Sequence, residues 1–361
     1  MGSTALGVTD TTIVPISEAH ITTLPIGDGK TLWLRTWGCA TGTPVLFVHG
    51  GPGQCVADYN DINAKFFEAS EFHVVEVDQR GTGSSQPSVR DDYKHMELYK
   101  DITIAQMSAD FELVREHLQI DKWLVFGGSW GSTLGLDYAL RYPQHCLGLI
   151  LRGIFLSTVA EFEAIYARKS FAGNERRLAE FDTFLEPAAA LAQRKGEPPL
   201  DPDDAQRLVR LYEELFLAGD RQALWQFYAF ENNLIEEDAS KLIDPRVINE
   251  AEFAEAQSVS FFEARLFLRH TYEEPVSLLG ERLRALAGTD ACPAVRTWIA
   301  QGTGDEVCPE TFARQLAAGL EAAGVPLTAY FFEAGHSAKS DEMGAMLKRC
   351  VDEWKSGAQQ K

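Results

Sequence analysis

Between residues 31 and 153, short apolar runs rich in β-branched and aromatic residues alternate with helical patterns, and few architectures accommodate that alternation. The runs are 44–48, 72–77, 123–126 and 149–151, and an amphipathic helix is predicted over 104–118. Strands that are apolar along their whole length are buried on both faces. They therefore belong to a mostly parallel sheet of the α/β class, with helices on either side. After the fourth run the alternation stops. From about residue 159 to 288 the pattern is helical, with Leu208, Leu211, Tyr212 and Leu215 on one stripe and a turn-rich break at 196–203. Strand-like runs resume at 295–300 and 327–332, and a last helix is predicted over 342–354. The expected division is a loosely held leader (1–20), a core made of 21–157 and 289–361, and an inserted helical cap (158–288).

The third run leads into Gly127-Gly128-Ser129-Trp130-Gly131, and a helical stretch follows at 132–142. This is G-x-S-x-G at a strand-to-helix junction, the setting of a nucleophile elbow. The glycines permit a sharp turn that lifts the serine hydroxyl out of the sheet, and the helix N-terminus favours negative charge nearby. A serine hydroxyl is a weak nucleophile that needs a base, and the base needs an acid to orient it. Three histidines lie beyond Ser129. His145 sits near the end of the elbow helix, His270 falls in the helical block as a packing or surface residue, and His336 comes just past the run 327–332. Asp305 comes just past the run 295–300. Ser129, Asp305 and His336 thus share the carboxyl edge of the sheet, where parallel sheets bind ligands. Glu306 and Asp341 are rival acids, but neither occupies the first loop position after a strand. His49-Gly50-Gly51-Pro52-Gly53 follows the first run. Tetrahedral acyl chemistry needs two preorganised N–H donors. The Trp130 amide is the first candidate and Gly51 the second, because Pro52 has no N–H.

Four motifs in order carry a resemblance: His49-Gly-Gly-Pro-Gly53, Asp78-Gln-Arg-Gly-Thr-Gly-Ser84, Gly127-Gly-Ser-Trp-Gly-Ser132 and Leu151-Arg-Gly-Ile-Phe155. Together they resemble the proline iminopeptidase (prolyl aminopeptidase) family of α/β-hydrolases, over roughly residues 20–156 and 290–355. The resemblance implies an α/β-hydrolase fold with a helical cap, a triad at Ser129, Asp305 and His336, no cofactor, and release of N-terminal proline from short peptides. It also implies cap carboxylates that hold the substrate's free amino end, and it directs attention to Glu231 and Glu263. If residues 224–234 are helical, Glu231 shares a stripe with Leu224, Phe227 and Tyr228. Glu263 likewise shares one with Val259, Phe262 and Leu266. A carboxylate on an apolar stripe needs a partner. The plain alternative is an ion pair with Arg265 or Arg269. The chain departs from the family at Phe230, where Trp is typical, at Ala264-Arg265-Leu266, where Asn-His-Tyr is common, and at Gln54-Cys55 after the first glycine loop. These differences extend the expectation to N-terminal residues besides proline. Other readings of the same triad are an amino-acid amidase or carboxylesterase, and a silent hydrolase-like binding protein.

Charge and cysteine usage narrow the partners. Asp plus Glu number 53 against 33 Lys plus Arg, a formal charge of −20, which opposes binding to nucleic acid and to anionic lipid. The six cysteines are scattered without a CxxC pair, so neither a zinc site nor a disulfide framework is suggested. Cys55 and Cys308 fall near the glycine loop and Asp305 but carry no catalytic expectation. Residues 1–20 show no secretory pattern and no apolar run reaches a membrane-spanning length, so a cytoplasmic location is expected. The loop 78–85 lacks the lysine of a phosphate loop, and Arg80 reads as structural.

Overall fold

The computed structural model describes residues 12–59, 61–236 and 239–358. Among these residues nine strands form one sheet: β1 (Ile13–Val14), β2 (His20–Gly27), β3 (Lys30–Cys39), β4 (Thr43–Val48), β5 (Phe72–Asp78), β6 (Trp123–Ser129), β7 (Cys146–Ile154), β8 (Thr297–Gly302) and β9 (Leu327–Phe332). The spatial order is β1-β3-β5-β4-β6-β7-β8-β9, with β2 paired on β3. From β5 to β9 all pairs are parallel. At the other edge β3 runs antiparallel to β1, β2 and β5. Of the expected leader, residues 1–11 lie outside the described residues, whereas Ile13 and Val14 pair with Cys39 and Gly38.

The buried strands show why the pattern reads as it does. Val45, Phe47, Leu124, Phe126, Ile150 and Trp298 point to one face of the sheet, where they pack on Met343, Leu347 and Val351. Leu46, Val48, Val125, Leu149, Leu151 and Ile299 point to the other, against Phe111, Leu134 and Leu316. Each such side chain gains roughly 1.5–3 kcal/mol from burial, and both faces must be covered. Helices α1 (Ile104–His117) and α2 (Trp130–Arg141), between strands, cover the face of Val125 and Leu151. Five helices follow β7: α3 (Val159–Tyr166), α4 (Glu175–Arg194), α5 (Ala205–Leu217), α6 (Arg221–Ile235) and α7 (Phe253–Leu268). After β8 come α8 (Glu310–Ala322) and, beyond β9, α9 (Asp341–Ala358). The helical stretch begins at a capping box: the Thr158 hydroxyl accepts from the Glu161 amide and the Glu161 carboxylate accepts from the Thr158 amide. Among the described residues no helix is long and apolar enough to cross a membrane.

Candidate active site

The loops after β4, β6, β8 and β9 meet at one edge of the sheet, as carboxyl ends of parallel strands must. At the β6–α2 junction Ser129 has φ 56° and ψ −130°, a region that costs a non-glycine residue about 1–3 kcal/mol. Its neighbours explain the glycines. A Cβ on Gly127 would overlap the Gly131 carbonyl oxygen, and one on Gly128 would overlap the Arg152 guanidinium, which crosses from β7. The helix N-terminus leaves the first amides of α2, Trp130 among them, without intrahelical acceptors.

Asp305 and His336, far apart in sequence, meet with Nδ1 of the ring 2.8 Å from Asp305 Oδ2. Asp305 Oδ1 accepts from the amides of Val307 (3.0 Å) and Cys308 (2.8 Å). Burial alone raises this carboxyl. The His336 ring, the Cys308 amide and the Arg152 charge outweigh it and hold Asp305 below the usual carboxylate range. With Nδ1–H donating to Asp305, the His336 tautomer leaves Nε2 as an acceptor, and Arg152 Nη1 stands 3.5 Å from it. Arg152 also donates to the His336 carbonyl at 3.0 Å. Ser129 and the Cys308 thiol face the same space. Ser129, Arg152, Cys308 and His336 line one cavity of about 230 Å³. Donor atoms of Asp305, Cys308 and His336 lie within 4.8 Å of one another, a spacing that a metal ion could use. Asp305 and His336 spend theirs on each other, and burial holds the Cys308 thiol well above its ordinary pKa, so the set is a poor soft-metal site. Glu306, the rival acid, turns away to Arg177 at 2.8 Å.

Gly51 and Trp130 line the same cavity. The glycine loop is fixed from beneath. His49 Nε2 accepts from the Gln79 amide (3.0 Å), its Nδ1 faces the Gly50 carbonyl (3.0 Å), and burial lowers its pKa to about 4, so the ring is neutral. Gln79 in turn accepts from the Trp130 indole at 3.1 Å. The Gly50 amide donates to the Tyr59 hydroxyl at 2.6 Å. From above, Ser258 on α7 donates to the Gly53 carbonyl at 2.7 Å, and a Cβ on Gly53 would overlap α7 backbone. Arg80 pairs with Asp110 on α1 at 2.5 Å, a structural contact.

Glu231 on α6 and Glu263 on α7 are both buried and both line the cavity. Glu231 accepts a hydrogen bond from the Tyr166 hydroxyl on α3. Burial raises Glu231 to about 7, and burial together with the Glu231 charge raises Glu263 well above the usual range. Glu263 Oε2 is buried and has no hydrogen-bond partner among the described residues. Neither expected arginine reaches them: Arg265 pairs with Glu213 (2.8 Å) and Glu273, and Arg269 with Glu274 (2.5 Å). His270 is buried, with Nε2 accepting from the Ile104 amide at 3.1 Å.

Sequence reasoning passed over Arg152, Tyr166 and Arg177. Arg152 reads only as a break in an apolar run, and no pattern couples Tyr166 to a carboxylate on another helix. Arg177 on α4 is 4% exposed and donates to the carbonyls of Asn233 (2.5 Å) and Leu234 (3.1 Å) at the end of α6 as well as to Glu306. It joins the helix that carries Glu231 to the loop that carries Asp305. Arg177→Met should destabilise the fold by about 2–6 kcal/mol, since two buried carbonyls lose donors at about 1–3 kcal/mol each. Glu306→Gln should cost at most about 1 kcal/mol, because that partner is 63% exposed. Urea denaturation checks both, and equal losses would contradict this account.

Fold and site together define a hydrolase class, and residues 43–320 match the family model described as alpha/beta hydrolase fold. A probable proline iminopeptidase of Leptolyngbya boryana is 32% identical over 319 residues, 87% of either chain. A proline iminopeptidase of Arabidopsis thaliana is 29% identical over 337 residues, 93% of this chain and 80% of that one. Within the α/β-hydrolases the chain belongs to the proline iminopeptidase family. The crystal structure of a proline iminopeptidase from Mycobacterium smegmatis aligns with a TM-score of 0.51 at 18% identity, covering 94% of this chain and 100% of that one. A 2-hydroxy-6-oxo-6-phenylhexa-2,4-dienoate hydrolase from a Rhodococcus strain aligns with a TM-score of 0.57, also at 18% identity, over 92% of this chain and 98% of that one. At such identities these two likenesses speak to the fold alone.

Proposed function

We propose that the protein is a serine aminopeptidase that releases N-terminal proline from short peptides, with other N-terminal residues as poorer substrates. The observation that carries this reading is the buried carboxylate pair in the cavity that also holds Ser129. An N-terminal proline is a secondary ammonium with two N–H donors, and Glu231 and Glu263 offer acceptors, one of them an oxygen with no other partner. An esterase for apolar acyl groups has no use for two buried carboxylates, and their desolvation is costly unless a cation answers it. Phe155, Ile165 and Phe267 line the same cavity and supply an apolar wall for the proline ring.

In the mechanism the Ser129 hydroxyl turns to His336 Nε2, gives up its proton and attacks the carbonyl carbon of the first residue. Asp305 keeps the ring in the required tautomer and stabilises the imidazolium. The amides of Gly51 and Trp130 receive the oxyanion; losing one such donor typically costs about 2.7–4 kcal/mol. Collapse expels the remaining peptide as an amine that takes the proton from His336, and water then hydrolyses the prolyl ester. Residues 158–288 act as a cap over the core formed by 21–157 and 289–361, and admit only short chains with a free amino end. Five of the six cysteines are buried and scattered through the chain, which suits a reducing compartment, and we place the enzyme in the cytosol. Incubation with tripeptides that differ only in the first residue tests the activity. Free proline should appear fastest. Release of no amino acid, or cleavage at an internal bond, would refute it.

A further inference from the structure

The cavity carries carboxylates from α6 and α7, but its core side carries cations. Arg152 and Lys339 both line it, and neither has a carboxylate within 4.0 Å among the described residues. Arg152 is committed to His336. Lys339 is not so bound. It lies between His336 and α9, in a loop where Ser337 Oγ accepts from the Lys339 amide at 3.2 Å. The polar contact of its Nζ is the Asp58 carbonyl oxygen at 3.4 Å. The acids around it are Asp58 and Glu255. The Asp58 carboxylate is held by Arg90 and by the Cys55 amide (2.8 Å), and burial raises Glu255 to about 7.

The leaving nitrogen must meet the His336 ring to be protonated, so whatever follows it in the substrate is delivered to the loop beyond His336. Ser337, Ala338 and Lys339 form that part of the cavity wall. In a dipeptide one residue separates the leaving nitrogen from a free carboxylate. The cavity volume, about 230 Å³, is below the range of roughly 300–1,000 Å³ usual for drug-sized ligands, which favours the shortest peptides. We propose that Lys339 receives the C-terminal carboxylate of the departing residue, so that the preferred substrates are zwitterionic dipeptides beginning with proline. This assignment rests on the aminopeptidase reading above and names its substrate class.

The test is the ratio of kcat/KM for prolylglycine to that for prolylglycinamide, which differ only in the terminal charge. The wild type should favour the acid roughly tenfold, chiefly through KM, as a charge-assisted hydrogen bond allows. The ratio should shrink as salt screens the partly exposed ammonium. It should fall to near one in Lys339→Met, fall below one in Lys339→Glu, and be kept in Lys339→Arg. Because each ratio is taken within one variant, loss of folded protein does not mimic the effect. A wild-type ratio near one, or a ratio unchanged in Lys339→Met, overturns the role of Lys339 while proline release stands. Failure of the wild type to hydrolyse either compound overturns the aminopeptidase reading itself, and this assignment with it.

Discussion

Ser129→Ala should lower kcat on a prolyl substrate by about six orders of magnitude, as loss of the nucleophile does in serine hydrolases whose triad acts as a unit. The effect is on chemistry and not on amine capture, which falls to Glu231 on α6 and Glu263 on α7. Binding of a free-amine ligand, measured by calorimetry, should therefore survive. Asp305→Asn should cost about 10⁴ in kcat, since an amide at that position favours the wrong imidazole tautomer. The Asp305 carboxyl lies below its ordinary pKa, so it stays ionised throughout the neutral range and should add no limb to the pH profile there. A variant lacking Ser129 that kept more than a thousandth of wild-type turnover would place the nucleophile elsewhere.

Glu263→Gln and Glu231→Gln should each lower kcat/KM for free-amine substrates by about two to three orders of magnitude. Breaking a buried ion pair by removing one member typically costs about 3–5 kcal/mol. Together the two should lose less than the sum, because they share one cation. The pH dependence follows from the shifts. Burial raises Glu231 to about 7, and burial with the Glu231 charge raises Glu263 in the same direction. An ammonium needs ionised acceptors, so kcat/KM should fall as pH drops below 7. Stability moves the other way. The folded pKa of Glu231 is raised from 4.5 to about 7, so the folded state holds more protons than the unfolded chain across that interval. The resulting stability is complete below about 4.5 and is lost as pH rises to about 7. Either glutamine variant should be more stable than wild type at pH 8, by about 1–3 kcal/mol, and less active. A variant both less stable and equally active would remove the pair from the site.

Much of this was legible in the chain because burial writes itself into sequence. The runs at 44–48, 72–77 and 123–126 are apolar on both faces, and β4, β5 and β6 lie inside a covered sheet. The antiparallel edge was missed because β2 is mostly exposed and carries no apolar run. Its signal was local instead: Asp28-Gly29 joins β2 to β3 with φ of 50° and 69°, the two-residue hairpin turn that Asp-Gly favours. The meeting of Asp305 and His336 followed from strand ends, since both loops leave the sheet at the same edge. What the sequence could not hold was the company of a buried charge. Arg265 sits two residues from Glu263 and yet pairs with Glu213 and Glu273, because the two side chains leave α7 on different faces. Tyr166 and Arg177 reach α6 across packed helices, and only the fold sets such contacts.

The proposed function joins, in one cavity, a serine nucleophile to a receptor for a free prolyl amine. Turnover of proline anilide against N-acetylproline anilide, at matched concentration and pH 8, examines both halves at once. The free-amine compound should be hydrolysed at least a hundredfold faster in kcat/KM, by the charge-assisted contacts it alone can make. Equal turnover of the two would mean that Glu231 and Glu263 hold no amine, and the account would fail.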